Sequence, residues 1–452
     1  MRNITLYLLC LLMAMLMMSC SKNKIEDQPV PGAETVETNA DAAQGSVAAD
    51  ELPEKLPVEL SGTPVKAEDQ NNDITFKLWA LIDREGENTF FSGYSINTAL
   101  AMVYNGSAGN TAKEMAAVMG YDFEPEKAHP ILTKMQAKLN EMKAGEQAEV
   151  KVANAIFTAK QSQDRLLPRY LDLLRKEYLA PQHSLDFSQG RETADFINKW
   201  VEENTNKRIK DMVTAEQVES SNNGLFLANA IYFKAAWAHQ FAKYSTREDT
   251  FYISSAMREE ESIPIDMMQI KASFPYARLE GCQLLEMPYK DPEYAMLFVL
   301  PGEIEGFTKD LSVETLQKWQ DALSRPMKVE TYIPRFKMEH SLDKLAELFL
   351  SMGMRDAFHP AKADFSGIMK YSASANLYIS DIAHKAFLEI KEEGTEAAAA
   401  TVVGMATTSM PPPEPEMPVF RADKPFLCLI LHKPDNTILF AGKVVKPEPA
   451  EK

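Results

Sequence analysis

The chain has 452 residues, with 48 Lys and Arg against 65 Asp and Glu, a formal charge of −17. At 45% hydrophobic residues it is long enough for one large core or two ordinary ones, which excludes collagen, coiled coil and wholesale disorder. The acid excess argues against a nucleic-acid partner, because phosphate binding needs a cationic face and no basic cluster interrupts the pattern.

Arg2 is followed by an almost wholly apolar run from Ile4 to Met18. At about 15 residues it is short for a membrane span and suits the core of a signal peptide. It stops at Ser19-Cys20, which resembles the bacterial lipoprotein cleavage site, with Met17 and Met18 where a Leu and a small residue are commoner. This reading makes 1–19 a signal peptide and Cys20 the lipidated residue of an exported protein. The protein is then anchored to the cell envelope or cell surface by lipid alone, with plain secretion as the alternative. Residues 21 to 68 contain no aromatic residue and carry ten acids against four lysines. Such a stretch buries too little apolar area to offset ordering entropy, so 20–68 reads as a self-repelling tether. The remainder, 69–448, reads as one large domain.

Phe76, Leu78, Trp79, Leu81 and Ile82 recur at helical spacing, in a segment that ends around Gly86. Ser95 is the expected N-cap for Ile96 to Tyr104, and Thr111 for Ala112 to Met119. Val150 to Phe157, Leu225 to Phe233 and Tyr294 to Leu300 read as buried strands, and Ile197 to Met212 as an amphipathic helix. Two hydrophobic strands, Phe426 to Leu431 and Thr437 to Val445, close the domain. Helices lead and strands crowd the second half, which indicates an α+β fold rather than a regular βαβ alternation.

Enzyme signatures are missing: there is no GxGxxG, GxxxxGK[ST], HExxH or GxSxG. The seven histidines (His129, His183, His239, His340, His359, His384 and His432) show no metal-ligand spacing. No catalytic residue, metal or cofactor is nominated, and the chain reads as a non-enzyme. Cys10, Cys20, Cys282 and Cys428 are too few and scattered for a disulfide framework or zinc cage. Cys282 and Cys428 lie in apolar surroundings and read as buried free thiols.

One segment is unusual. Lys391 to Val403 follows a strand-like run, Ala386 to Ile390, and leads into Gly404 to Met410 and the stiff Pro411 to Pro415. Nothing aromatic occurs from Gly394 to Pro418. Propensity favours a helical turn at Glu396 to Ala400, and a plain exposed loop is equally compatible with the composition. The third reading is a loop whose small residues can slot between two strands: Thr395, Ala397, Ala399, Thr401 and Val403 would then share one face.

Taken together, several stretches resemble the serpins across residues 70 to 447. They are Phe90 to Ile96, Gly106 to Met115, Asn229 to Lys234, Ala363 to Gly367, the hinge Glu392 to Ala400, and the downstream signature Phe420 to Phe426. Gly93-Tyr94 after Ser92 departs from the family, which usually has proline there. The resemblance implies a large central, mostly antiparallel sheet with two smaller sheets, about nine helices and an exposed reactive-centre loop at about 392–419.

It also implies a suicide inhibitor of proteases, acting as a monomer in a covalent 1:1 complex with its target. Cleavage frees the loop to insert as a new strand, distorting the acyl-enzyme. At about 1 kcal/mol net per ladder bond, ten or more bonds give a drive on the order of 10 kcal/mol, so the uncleaved fold is kinetically held. The family pattern assigns the hinge to Glu392, Gly394, Thr395, Glu396, Ala397, Ala398, Ala399, Ala400 and Thr401. It assigns the polar shutter beneath the sheet to Ser92, Ser95, Asn229 and His384. Counting from Gly394 places the scissile bond at Thr408-Ser409, with Met405-Ala406 as second choice. A small or apolar residue before that bond suits elastase-like or chymotrypsin-like targets, or a papain-like cysteine protease. The alternatives are a serpin fold that only binds or chaperones, and an unrelated exported lipoprotein.

Overall fold

Apolar residues at helical spacing fold Gln70–Ile82 into α1, with Ile74, Leu78 and Trp79 fully buried. The structure, a computed structural model, describes residues 69–122, 124–127, 133, 148–221, 224–323, 325–370, 372, 376–395 and 417–450. The signal segment, the tether and both scissile-bond choices lie outside them.

After α1 come β1 (Thr89–Phe91), α2 (Gly93–Tyr104), α3 (Gly109–Met119) and β2 (Ala148–Ala159). Next are α4 (Pro168–Leu173), β3 (Gln182–Leu185), α5 (Gly190–Asn204), α6 (Ala215–Ser220) and β4 (Leu225–Ala236). Strands then dominate: β5 (Arg247–Tyr252), β6 (Ser262–Leu279), β7 (Cys282–Pro288) and β8 (Tyr294–Pro301). Past α7 (Val313–Ala322) lie β9 (Pro326–Pro334), β10 (Phe336–Leu342) and α8 (Leu345–Ser351). The chain finishes with β11 (Ile379–Lys391), β12 (Gly394–Thr395), β13 (Val419–Arg421), β14 (Phe426–His432), β15 (Thr437–Val444) and β16 (Glu448–Pro449).

This is the expected α+β architecture. One sheet has seven strands in the order β16-β10-β11-β12-β4-β2-β3, with only the β11–β4 and β2–β3 contacts parallel. The other runs β1-β15-β14-β8-β7-β6-β9-β13, with β5 also paired to β6. The 18-residue β6 makes it continuous, pairing with β5 and β9 along most of its length and with β7 at its end. The two smaller sheets of the expectation are thus joined through a single strand.

Period-two alternation sends opposite faces of β4 and β11 into different cores. Ile231, Phe233, Ala386, Leu388 and Ile390 pack with Met296, Phe298 and Ile430 of the other sheet. Ala228, Ala230 and Ala383 instead meet Ile197 and Val201 of α5. Cys282 and Cys428 are buried free thiols, and burial pushes the Cys428 thiol up to about 12.

Three helix boundaries differ from the sequence expectations. Ser92, not Ser95, caps α2, its Oγ accepting the Ser95 N–H at 3.0 Å. Thr111 lies inside α3 and its hydroxyl accepts the Asp364 N–H at 3.0 Å. The helix expected through Met212 ends at Asn204, because Asn206 and Lys207 turn left-handed at φ 51° and 61°. No described helix is long and apolar enough to cross a membrane.

Candidate functional site

Strand register builds a polar row across the seven-stranded sheet. Asn154 of β2 lies opposite Asn229 of β4, and Asn229 lies beside His384 of β11. The N-terminus of α2 meets this row. Ser92 donates its backbone N–H to His384 Nε2 at 3.1 Å and its hydroxyl to the Leu439 carbonyl at 2.5 Å. Since Nε2 accepts, Nδ1 carries the proton, and it donates to Asn229 Oδ1 at 2.5 Å. Asn229 Nδ2 donates to the Ser95 carbonyl at 2.8 Å, to Ser95 Oγ at 2.6 Å and to Asn154 Oδ1.

The row is sealed from water: Ser92, Ser95 and Asn229 are fully buried and His384 is 1% exposed. Burial, reinforced by His340 nearby, pushes the His384 imidazole down to about 3, so it is neutral at ordinary pH and keeps one fixed tautomer. The four shutter residues predicted from the resemblance are therefore in mutual contact. Asn154 was missed, although the pattern Ala-Asn-Ala-Ile occurs at both 153–156 and 228–231 and marks each strand with one buried amide.

Above the row, the hinge enters the sheet. Thr395 lies opposite Ile390 and Ala235, and Gly394 opposite Lys391 and Ala236, so β12 is laddered on both sides. Below this point β11 and β4 pair directly, from Ile379 with Leu225 to Phe387 with Tyr232. Gly394 has φ +152°, and a Cβ there would stand 2.1 Å from the Ala235 carbonyl oxygen. The buried Thr395 hydroxyl is 2.8 Å from the Tyr289 hydroxyl, and the Tyr289 ring stacks on Trp237 at 4.6 Å.

The hinge root is ionic. Glu392 accepts from Thr246 Oγ1 at 2.7 Å and pairs with Arg335 Nη1 at 3.4 Å, while Arg335 also pairs with Asp266. Glu393 pairs with Lys243 at 2.6 Å. Backbone N–H groups of Phe241 and Trp237 donate to the Glu392 and Glu393 carbonyls, each at 2.9 Å. Arg335 was not predicted, and no motif marks it. The remaining hinge positions, Glu396, Ala397, Ala398, Ala399, Ala400 and Thr401, lie outside the described residues, as do Cys20, Met405, Ala406, Thr408 and Ser409. Among the described residues no group of three or more His, Cys, Asp and Glu is placed to hold a metal ion.

The family model described as Serpin (serine protease inhibitor) matches residues 69–447. The chain belongs to the serpin family. A serpin-like protein of Thermococcus kodakarensis is 37% identical over 386 residues, covering 83% of this chain and 85% of its own. The leukocyte elastase inhibitor of Xenopus laevis is 36% identical over 368 residues, 80% of this chain and 93% of its own. The crystal structure of human thyroxine-binding globulin complexed with thyroxine superimposes with a TM-score of 0.74 at 30% identity, covering 85% of this chain and 99% of that one. These relatives correct one expectation. Setting the serpin apart simply as a non-enzyme misses what the family description and an elastase inhibitor point to: its kin are proteins that act on proteases.

Proposed function

We propose that this serpin inhibits serine-type endopeptidases, and cysteine endopeptidases of the papain type, as a suicide substrate, offering Thr408-Ser409 (or Met405-Ala406) to elastase-like, chymotrypsin-like or papain-like enzymes. The observation that carries the reading is the register of β12. Carried forward in two-residue steps into an inserted strand, it would set Ala397 between Leu388 and Phe233, Ala399 between Ala386 and Ile231, and Thr401 between His384 and Asn229. All three rows agree with the existing β11–β4 register, so a strand can enter without either neighbour slipping. The inward positions are small, as crowding there demands. On insertion the Thr401 hydroxyl would accept from His384 Nδ1–H and donate to Asn229 Oδ1, so parting that pair would leave no buried group unmet.

The same proposal includes lipidation at Cys20 and display on a bacterial cell envelope, supported by the apolar core ending at Ser19-Cys20 and by the acidic tether. There it would act as a monomer against proteases of a host or a neighbouring microbe. A second reading, binding without inhibition, is favoured by the likeness to thyroxine-binding globulin.

The test is a denaturing gel of the chain mixed with neutrophil-type elastase, with mass spectrometry of the released C-terminal peptide. A covalent adduct with a peptide beginning at Ser409 is expected. Cleavage without adduct, by serine and cysteine proteases alike, and with no gain in heat stability of the cut form, removes the inhibitory reading in favour of the second.

A further inference from the structure

Beyond α4 the chain winds one wider turn, Leu174–Tyr178, and stops at Leu179 with φ 51°. The N–H groups of Leu179 and Ala180 both return to the Leu174 carbonyl, a left-handed cap that glycine forms without steric cost. Leucine is strained there, and it is also 58% exposed. A strained, solvent-facing leucine does nothing for the domain's own core. It forms one wall of an open groove of about 460 Å³, shared with Leu171, Arg175, Ala180, Pro181 and Gln182. Gln182 opens β3, which is the last strand of the seven-stranded sheet among the described residues. A free strand edge beside an apolar groove is a template for one more extended segment.

The amino-terminal arm joins the fold on this side. Gln70, at the start of α1, donates its side-chain amide to the Gly120 carbonyl at 3.3 Å. Tyr121 follows, and its ring lies 5.0 Å from that of Tyr104. Asn105 comes next and donates to the Tyr178 hydroxyl at 2.5 Å, and Tyr178 directly precedes Leu179. Three contacts thus lead from the arm's point of entry to the groove.

The arm contains one segment patterned for such an edge. In residues 56–60 Leu56, Val58 and Leu60 alternate with Pro57 and Glu59, so an extended conformation sets the three apolar side chains on one face. Proline is tolerated in an edge strand, where its missing N–H faces away from the ladder. From Leu60 to Asp69 is nine residues, a reach of roughly 30 Å. Charge agrees with this placement. Residues 50–60 carry Asp50, Glu51, Glu54 and Glu59 against Lys55, while Arg175 and Lys176 at the groove share the single Asp172 at 2.5 and 3.7 Å.

We propose that residues 56–60 of the arm seat in this groove and extend along the outer edge of β3. The assignment is independent of the inhibitory reading and of lipidation at Cys20. Seating covers Leu179, closes the open edge of the sheet, and shortens the stretch between Cys20 and the fold from 49 residues to 36.

The experiment compares the full chain with two variants. One replaces the arm's apolar face (Leu56→Ser, Val58→Ser and Leu60→Ser together). The other is Leu179→Asn, which keeps a left-handed backbone accessible. Hydrogen exchange at the amides of Gln182–Leu185 is the readout, and the melting temperature confirms that the domain stays folded. Each variant should exchange about five- to tenfold faster there, and combining them should add nothing, since both remove one contact. A peptide spanning 52–63 should restore protection to the arm variant and not to Leu179→Asn. Unchanged exchange in the arm variant overturns the proposal, and so do two accelerations that multiply in the combined chain. Sedimentation in which only Leu179→Asn dissolves a dimer gives the groove to a second copy instead. Loss of vesicle binding by Leu179→Asn alone gives it to a lipid surface, and either result overturns the arm.

Discussion

The upper and lower halves of the β4–β11 seam solve the same problem with opposite chemistry. Below, where the two strands touch, the buried contacts are neutral: two amides, two serines and an imidazole held in one tautomer. Above, where β12 has entered, the contacts are ionic: Glu392 with Arg335, Glu393 with Lys243. A neutral row can be parted without stranding a charge, so it suits the seam that the proposed mechanism would open. An ion pair punishes separation, so it suits the fixed root that the proposed loop insertion would need.

The largest blow to this contrast is Gly394→Val. Its side chain has nowhere to go beside the Ala235 carbonyl, and β12 should leave the sheet. The expected outcome is loss of amide protection at Ala235 and Trp237 by hydrogen exchange, and at least a tenfold shift from adduct to cleaved product on the gel; unchanged protection would show that the strand's place does not depend on this residue. Next, Arg335→Ala leaves two carboxylates, Glu392 and Asp266, without their cation; with the Arg335 side chain only 12% exposed, a loss of about 3–4 kcal/mol is expected in chemical denaturation. A loss under about 1 kcal/mol would place the root's strength in its backbone bonds instead.

The smallest effect at neutral pH belongs to His384. Its folded value lies near 3 against an ordinary 6.5, so the unfolded chain binds the extra proton between those values and stability falls as pH drops through that window. By pH 4.5 the loss is about 2.5 kcal/mol relative to pH 7. His384→Gln should remove that part of the slope. His183 and His340, also pushed down by burial, contribute equally in both proteins, so the difference between the two pH curves is the measurement. Parallel curves would mean the lower seam is not the acid-sensitive element.

Sequence patterning disclosed this fold where strands are buried on both faces. The runs around Val152, Leu227 and Phe298 became central strands because they are near-continuous apolar stretches of strand length. Helix ends were less legible. Two serines three residues apart compete to cap α2, and only the tertiary contacts to Leu439 and His384 show that Ser92 both caps the helix and joins the buried polar row. Beyond Asn204, Ile209 and Met212 continue an apolar spacing because they are buried against the sheet, not because the backbone stays helical. The shutter could be named because resemblance supplied four positions, whereas Asn154 needed the register that places it opposite Asn229. Arg335 was invisible for a plainer reason: its partners stand 69 residues before it and 57 after it, and charge alone carries no such address.

The long β6 strand has a consequence of another kind. It welds the strands beneath the returning foot of the loop to the β7–β8–β14–β15 block, while the departing foot belongs to the other sheet. The chain therefore quits one sheet at Thr395 and rejoins the other at Val419, so the two sheets share no strand and are held together by the common core of Ile231, Phe233 and Leu388 against Met296, Phe298 and Ile430.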